Sequence, residues 1–238
     1  MRRRKGCGGR ADLPSVVSRI DDMAKRTRQT EEWSGEFGKD YTARNAVTLE
    51  ELDLLYKNQY GITRTQMNHG FIGGFDKDMR VLEVGSNIGN QLLCLQKMGF
   101  RDLYGVELQW HAVELAKTRT QAINIIQGSA FDIPFKDRFF DLVFTSGLMI
   151  HIAPQDIAVA LDEMHRCTRR YIWGFEYYAE RYTQVSYRGH SDLLWKTDFS
   201  SLFLERFKSL RLVREERFKY LQNESVDSMF LLEKRDDG

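Results

Sequence analysis

Of the 238 residues, the stretch with the most chemical content is Val-Leu-Glu-Val-Gly-Ser-Asn-Ile-Gly-Asn, residues 81–90: an apolar strand, a tight glycine turn and the start of a helix. Gly85 lets the chain turn as it leaves the strand, and Gly89 lets a ligand or a neighbouring strand approach the helix start without meeting a Cβ. The helix end beside the turn offers free N–H groups. Glu107 closes the next apolar run 22 residues after Gly85, where a carboxylate can accept hydrogen bonds from both hydroxyls of a ribose. Together these residues point to a nucleoside. Asn87 stands where a dinucleotide site places its second glycine, so a nucleoside without a pyrophosphate fits the spacing better.

Five apolar runs position these residues: Met79–Val84, Leu103–Glu107, Asn124–Gln127, Phe140–Thr145 and Tyr171–Phe175. Helical patterns separate them at Ile88–Met98, Trp110–Thr120 and Gln155–Cys167, the alternation of βαβ units and a parallel sheet. The end of the chain breaks the alternation. A helix at Phe199–Phe207 precedes two strand-like runs, Arg211–Tyr220 and Val226–Glu233, whose short polar joint suits an antiparallel hairpin at the sheet edge. The predicted fold is therefore α/β, a Rossmann-like three-layer sandwich with a mostly parallel sheet and a C-terminal hairpin. Ahead of it, Thr48 and Glu51 form a capping-box pair for a helix at Thr48–Tyr56, and a second helix is expected at Thr63–Phe71. Residues 33–45, with aromatics among glycines, fit neither helical nor strand period, and a weak helix is expected at Pro14–Arg28. The division is a basic arm at 1–30, a helical cap at 31–75 and a core at 76–238.

Composition narrows the function classes. Lys and Arg total 35 against 34 Asp and Glu, yet residues 1–28 hold nine basic and three acidic side chains, so the body is acidic. That argues against nucleic acid as the main partner. No apolar run reaches the roughly 18 to 20 residues of a membrane span, and the basic start has no apolar stretch behind it, so a cytoplasmic chain is expected. Cys7, Cys94 and Cys167 are odd in number and far apart, which indicates neither a disulfide framework nor a zinc site; no metal is expected.

Four ordered motifs resemble the class I S-adenosylmethionine-dependent methyltransferases: Glu-Val-Gly-Ser-Asn-Ile-Gly (83–89), Glu107, Gly-Ser-Ala-Phe-Asp-Ile-Pro-Phe (128–135) and Phe-Asp-Leu-Val-Phe (140–144). The resemblance covers residues 79–233 and implies a seven-stranded sheet. Three further segments, 32–45, 147–152 and 187–199, resemble the methylases associated with pseudaminic acid biosynthesis, a name that leaves the methyl acceptor open. The resemblance implies that Glu83, Gly85, Ser86, Asn87 and Gly89 contact or shape the methionine part of the cofactor and that Glu107 and Leu108 hold its ribose. Ser129, Ala130 and Phe131 should flank the adenine, and Thr145 and Ser146 should lie below the sulfonium. Relatives often carry Asp where this chain has Ser129, so the bond to the adenine amino group passes to Asp132 or to backbone groups. Trp33, Phe37, Tyr41, Arg44 and Asn45 belong to a segment that in the class folds over the cofactor, with Tyr41 and Arg44 as partners for its carboxylate.

Methyl transfer from a sulfonium is an in-line displacement, so alignment and exclusion of water are the main tasks, with a base needed only if the acceptor must lose a proton. His151 follows the fourth strand at the carboxyl edge of the sheet, as either that base or a backbone-bonded structural histidine. Glu176, Tyr177 and Tyr178 are expected just past the fifth strand; Glu176 would take a proton or hold a cation, or else pair with an arginine. Tyr187, Arg188, His190, Asp192 and Trp195 lie in an irregular connection of the kind that carries binding residues. There Arg188 would clamp a carboxylate or phosphate, or form an intrachain ion pair, and His190 joins His151 and Glu176 as a catalytic candidate. The reading is a metal-independent methyltransferase acting on oxygen or nitrogen of a small polar acceptor. Its rivals are a catalytically silent methyltransferase fold, a nicotinamide-dependent oxidoreductase, disfavoured by the turn spacing, and a nucleic-acid methyltransferase, disfavoured by the acidic body.

Overall fold

The computed structural model describes residues 27–190 and 192–235, so the helix expected at Pro14–Arg28 lies, up to residue 26, outside the described residues. Thr27 caps α1 (Arg28–Ser34) through a capping box with Thr30, and Gly35 both ends α1 and begins α2 (Glu36–Arg44). This corrects the aperiodic reading of residues 33–45. Trp33, Phe37 and Tyr41 recur every four residues, and the rings of Phe37 and Tyr41 each meet Trp33 edge-on at 5.1 Å. The intervening glycines hid that spacing. Gly38 is required, because a Cβ there would stand 1.9 Å from the Trp33 carbonyl oxygen.

The expected capping box of Thr48 and Glu51 opens α3 (Leu49–Tyr60), which runs one turn past Tyr56 to end at Gly61. The extra turn sets Tyr56 and Tyr60 against Phe175, with ring centroids at 5.8 and 6.0 Å. After α4 (Arg64–Ile72) the chain forms β1 (Arg80–Val84), α5 (Asn90–Lys97), β2 (Asp102–Glu107), α6 (Trp110–Arg119), β3 (Ile123–Gln127) and β4 (Phe140–Ser146). A 3-10 turn at Met149–His151 leads to α7 (Ile157–Cys167), β5 (Thr168–Tyr177), β6 (Thr183–Gln184), β7 (Trp195–Lys196), α8 (Phe199–Arg206), β8 (Leu210–Lys219) and β9 (Val226–Lys234).

The seven main strands lie in the order β3-β2-β1-β4-β5-β9-β8. All pairings are parallel except those of β9, which runs antiparallel to β5 and β8. Alternate side chains feed two cores. Leu82, Val143 and Ile172 pack toward α7 and α8 with Leu161, Met164 and Phe203, while Val81, Leu142 and Trp173 pack toward α4–α6 with Ile72, Leu95 and Val113. No helix joins β3 to β4; Tyr104, Phe135, Phe139 and Phe140 fill that corner with ring contacts from 4.9 to 6.1 Å. The result is the Rossmann-like three-layer sandwich with its edge hairpin. Strand order reverses between β1 and β4, which leaves a crevice at the carboxyl ends of the strands.

Two departures bear on the site. Strand β5 starts earlier and ends later than expected, pairing from Tyr171↔Glu233 to Tyr177↔Asp227, so Glu176 and Tyr177 are strand residues and do not follow the strand. Their polar side chains mask the strand pattern. The short ribbon of β6 and β7 is the second departure, and it ties down the connection that carries Tyr187.

Candidate active site

A cavity of about 430 Å³ fills the crevice and is roofed by the cap helices. Its floor is the turn after β1. Gly85 has φ +74°, and a Cβ there would lie 2.7 Å from Leu148 Cδ1. Asn87 has φ +46°, a left-handed conformation that asparagine tolerates better than most residues. Its N–H donates to Glu107 Oε2, and the Gln109 N–H donates to Oε1, both at 2.8 Å. Burial pushes the Glu107 carboxyl up while these amides pull it down. Each oxygen keeps a further lone pair.

Four buried polar atoms around that turn have no hydrogen-bond partner among the described residues: Glu83 Oε2, Ser86 Oγ, Asn87 Oδ1 and Gln91 Oε1. All four residues line the cavity. Unpaired buried polar groups are rare, so their convergence marks the place of a polar ligand. Burial raises the Glu83 carboxyl well above the usual carboxylate range, against the pull of the buried Arg64 guanidinium. Leu108, Ser129, Ala130 and Phe131 line the same cavity. Ser129 Oγ accepts from Phe131 N at 3.1 Å, whereas Asp132 is exposed and is not part of the cavity wall.

On the other side Ser146, His151, Tyr177 and Tyr187 meet Trp33 and Tyr41 from the cap, all on the cavity wall. His151 is buried, and its Nδ1 lies 2.8 Å from the Leu193 carbonyl. A carbonyl only accepts, so Nδ1 carries the proton and Nε2 is left as an acceptor with no partner among the described residues. Burial pushes this imidazole down to about 4, so it is neutral at pH 7. Trp33 packs on it at 4.3 Å between ring centroids and Tyr187 at 5.8 Å. Burial also raises the Tyr41 phenol, which stays protonated.

Glu176 lies outside the wall. Its carboxylate accepts from Leu148 N at 3.2 Å and Ile150 N at 3.4 Å and faces the Thr145 hydroxyl, so it fixes the turn that carries His151. Burial raises it to about 7. Several other expected site residues also stand apart from the cavity. Gly89 caps α5, Arg44 is exposed on α2, and Tyr178 carries the Arg217 guanidinium on its ring at 3.4 Å. Arg188 is exposed, His190 packs its ring on Phe37 at 5.5 Å, Asp192 pairs with Arg28 at 2.6 Å, and Trp195 is buried in β7. His190 and Asp192 tie the connection to the cap.

Sequence reasoning missed Gln109, whose Nε2 donates to the carbonyls of Trp33 and Gly35 at 3.2 Å while Oε1 accepts from Thr42 at 3.3 Å. One amide thus joins the Glu107 loop to the cap. Its place two residues after Glu107 was the available signal. Asp227, Tyr56 and Tyr60 were also missed, because nothing local in the sequence marks positions that meet only through the β5–β9 pairing and the last turn of α3. Among the described residues no three His, Cys, Asp or Glu side chains converge as a metal site, and no helix is long and apolar enough to cross a membrane.

Comparison with known proteins agrees with this architecture. Residues 82–171 match a family model described as a methyltransferase domain. Demethylmenaquinone methyltransferase of Staphylococcus aureus is 31% identical over 98 residues, 39% of this chain and 40% of that protein. An uncharacterized protein of Haemophilus influenzae is 29% identical over 100 residues, 40% of each chain. The match therefore spans about two fifths of the length of these curated relatives. Among solved structures, 1,6-didemethyltoxoflavin-N1-methyltransferase of Burkholderia thailandensis, determined with 1,6-didemethyltoxoflavin and S-adenosylhomocysteine, superposes with a TM-score of 0.62 at 13% identity, covering 96% of this chain and 94% of that one. A chain from the complex of the Haloferax volcanii Trm112 methyltransferase activator with its methyltransferase gives 0.64 at 14% identity, covering 86% and 96%. The fold is the Rossmann-like one of these methyltransferase structures.

Proposed function

We propose that this chain is a cytoplasmic S-adenosylmethionine-dependent methyltransferase that methylates oxygen or nitrogen of a small polar acceptor by in-line displacement. The observation that carries the reading is the set of unpaired buried polar atoms on Glu83, Ser86, Asn87 and Gln91, which share one cavity with a Glu107 carboxylate already fixed by two amides. Glu107 and Leu108 would hold the ribose, the 85–89 turn the methionine part, and Ser129–Phe131 the adenine. Bound S-adenosylmethionine supplies an electrophilic methyl group on a sulfonium.

The residues of this chain then do three things. The cap and the 187–194 connection exclude water, held together by Trp33 on His151 and by Phe37 against Tyr187 at 6.0 Å. His151 Nε2 orients the acceptor by taking a hydrogen bond from its O–H or N–H, and accepts the proton as the methyl arrives. Glu176 and the Leu193 carbonyl set the position of that imidazole. The three segments that resemble the pseudaminic-acid-associated methylases meet at this mouth, which supports a shared role for them in acceptor binding.

The test is thermal denaturation with S-adenosylmethionine, S-adenosylhomocysteine or NAD, since a ligand of the folded state raises the melting temperature with ln(1 + [L]/Kd). A rise with the first two alone is expected. A rise with NAD alone would move the reading to a nicotinamide enzyme.

A further inference from the structure

The acceptor side of the cavity contains a carboxyl group that the transfer described above does not use. Asp227, the second residue of β9, lies opposite Tyr177, is 1% exposed and lines the cavity with Tyr56, Tyr60, Phe175 and Tyr177. Its Oδ2 accepts from Tyr60 at 2.5 Å and from Tyr220 at 3.2 Å, while Oδ1 has no partner among the described residues. The cavity wall holds the carboxyls of Glu83, Glu107 and Asp227 and no Lys or Arg side chain among the described residues. Two cations lie behind the aromatic wall. Arg64 sits over Phe175 at 4.5 Å, bonded to Tyr56 and Asn68, and Lys196 sits over Tyr177 at 5.3 Å. Both act on Asp227 through space, yet neither reaches Oδ1.

We propose that the corner formed by Asp227, Tyr60, Tyr177 and Phe175 binds an ammonium group of the methyl acceptor, so that the substrate class is a cationic amine. An ammonium supplies the donor that Oδ1 lacks, and its charge is favoured by aromatic faces as well as by the carboxylate. A carboxylate or phosphate would meet a wall lined by carboxyl groups with no Lys or Arg side chain among the described residues, and the expected clamp, Arg188, is not there to receive it. Burial pushes the Asp227 carboxyl up to about 6, the response of an acid that lacks a full counter-charge. The inference rests on the methyltransferase reading only in naming the ligand an acceptor.

The experiment uses benzylamine, benzyl alcohol and benzoate at pH 7.5 and constant ionic strength. They share one ring and differ in the charge of the head group. Calorimetric affinity is measured on the full chain with and without saturating S-adenosylhomocysteine. Benzylamine should bind at least tenfold more tightly than either analogue, and Asp227→Asn should remove at least tenfold of that affinity while S-adenosylhomocysteine still binds. Equal affinity for benzylamine and benzyl alcohol, or a preference for benzoate, would overturn the proposal, as would an Asp227→Asn chain that keeps the preference. If that variant does not fold, nuclear Overhauser contacts from the benzylamine methylene to tyrosine ring protons in the unmutated chain decide the matter, and their absence counts against the site. Failure of S-adenosylhomocysteine to bind, with the amine preference intact, would sink the cofactor reading alone.

Discussion

The two halves of the cavity are built differently. The half assigned to the cofactor comes from turns that leave adjacent parallel strands: the 85–89 turn after β1, Glu107 at the end of β2 and residues 128–131 after β3. Each is a short local sequence, and its polar atoms are unpaired or held by backbone amides. The half assigned to the acceptor is assembled from remote pieces: Trp33 and Tyr41 from the cap, Tyr56 and Tyr60 from α3, His151 after β4, and Tyr177 facing Asp227 across β5 and β9. It is mostly aromatic, and its polar groups are few. The first kind of site can be a local motif, whereas the second kind is a product of tertiary packing.

That contrast can be broken by residues that belong to one half only. His151→Ala should lower kcat by about a hundredfold or more, the usual scale for a lost proton-transfer group, and leave S-adenosylhomocysteine affinity within a factor of three. Steady-state kinetics beside calorimetry checks it, and a parallel loss of cofactor affinity would show that the halves are not separable. Because burial holds this imidazole down to about 4, His151 should add no inflection near 6.5, and any inflection between pH 6 and 8 should vanish in Glu176→Gln.

Glu176 gives the next effect. Its carboxyl is raised to about 7, so below that pH it is protonated and accepts the Leu148 and Ile150 amides less well. Turnover should therefore fall about tenfold as pH drops from 8 to 6, and Glu176→Gln should flatten the profile at the lower level. The sign for stability is opposite. A carboxyl raised on folding contributes stability that is complete below its unfolded value near 4.5 and is lost as pH rises through 7, so this residue favours function at the expense of stability above neutrality.

Gln109 joins the halves. Gln109→Ala removes bonds to Trp33, Gly35 and Thr42 and should cost about 1 to 3 kcal/mol of folding stability, with a rise in KM for both substrates, read by denaturant titration and kinetics. The smallest effect belongs to the Arg28–Asp192 pair, which is exposed at 60% on the arginine side. Arg28→Ala should change stability by less than about 1 kcal/mol and alter the acceptor KM only.

What was legible in the sequence follows the same division. The strands, the β1 turn, Glu107 and the Thr48 capping box are set by contiguous residues whose types answer to local rules. Helices α1 and α2 were not legible, since Gly35 and Gly38 interrupt the Trp33, Phe37, Tyr41 spacing and the reason for Gly38 is contact with Trp33 across the α1–α2 junction. Nor was the length of β5, where Glu176 and Tyr177 look like loop residues until their partners on the 148–150 turn and on β9 are in place. Arg188, His190 and Asp192 had the types of binding residues, and packing used His190 and Asp192 to fasten the connection to the cap.

The central claim is that Glu107 holds the ribose of a sulfonium-bearing nucleoside. Calorimetric titration of S-adenosylhomocysteine into the wild-type chain and into Glu107→Ala tests it most directly. The account predicts saturable binding to the wild type and a loss of at least a hundredfold in the variant, with both proteins folded by circular dichroism. Equal affinity in the two chains would contradict it.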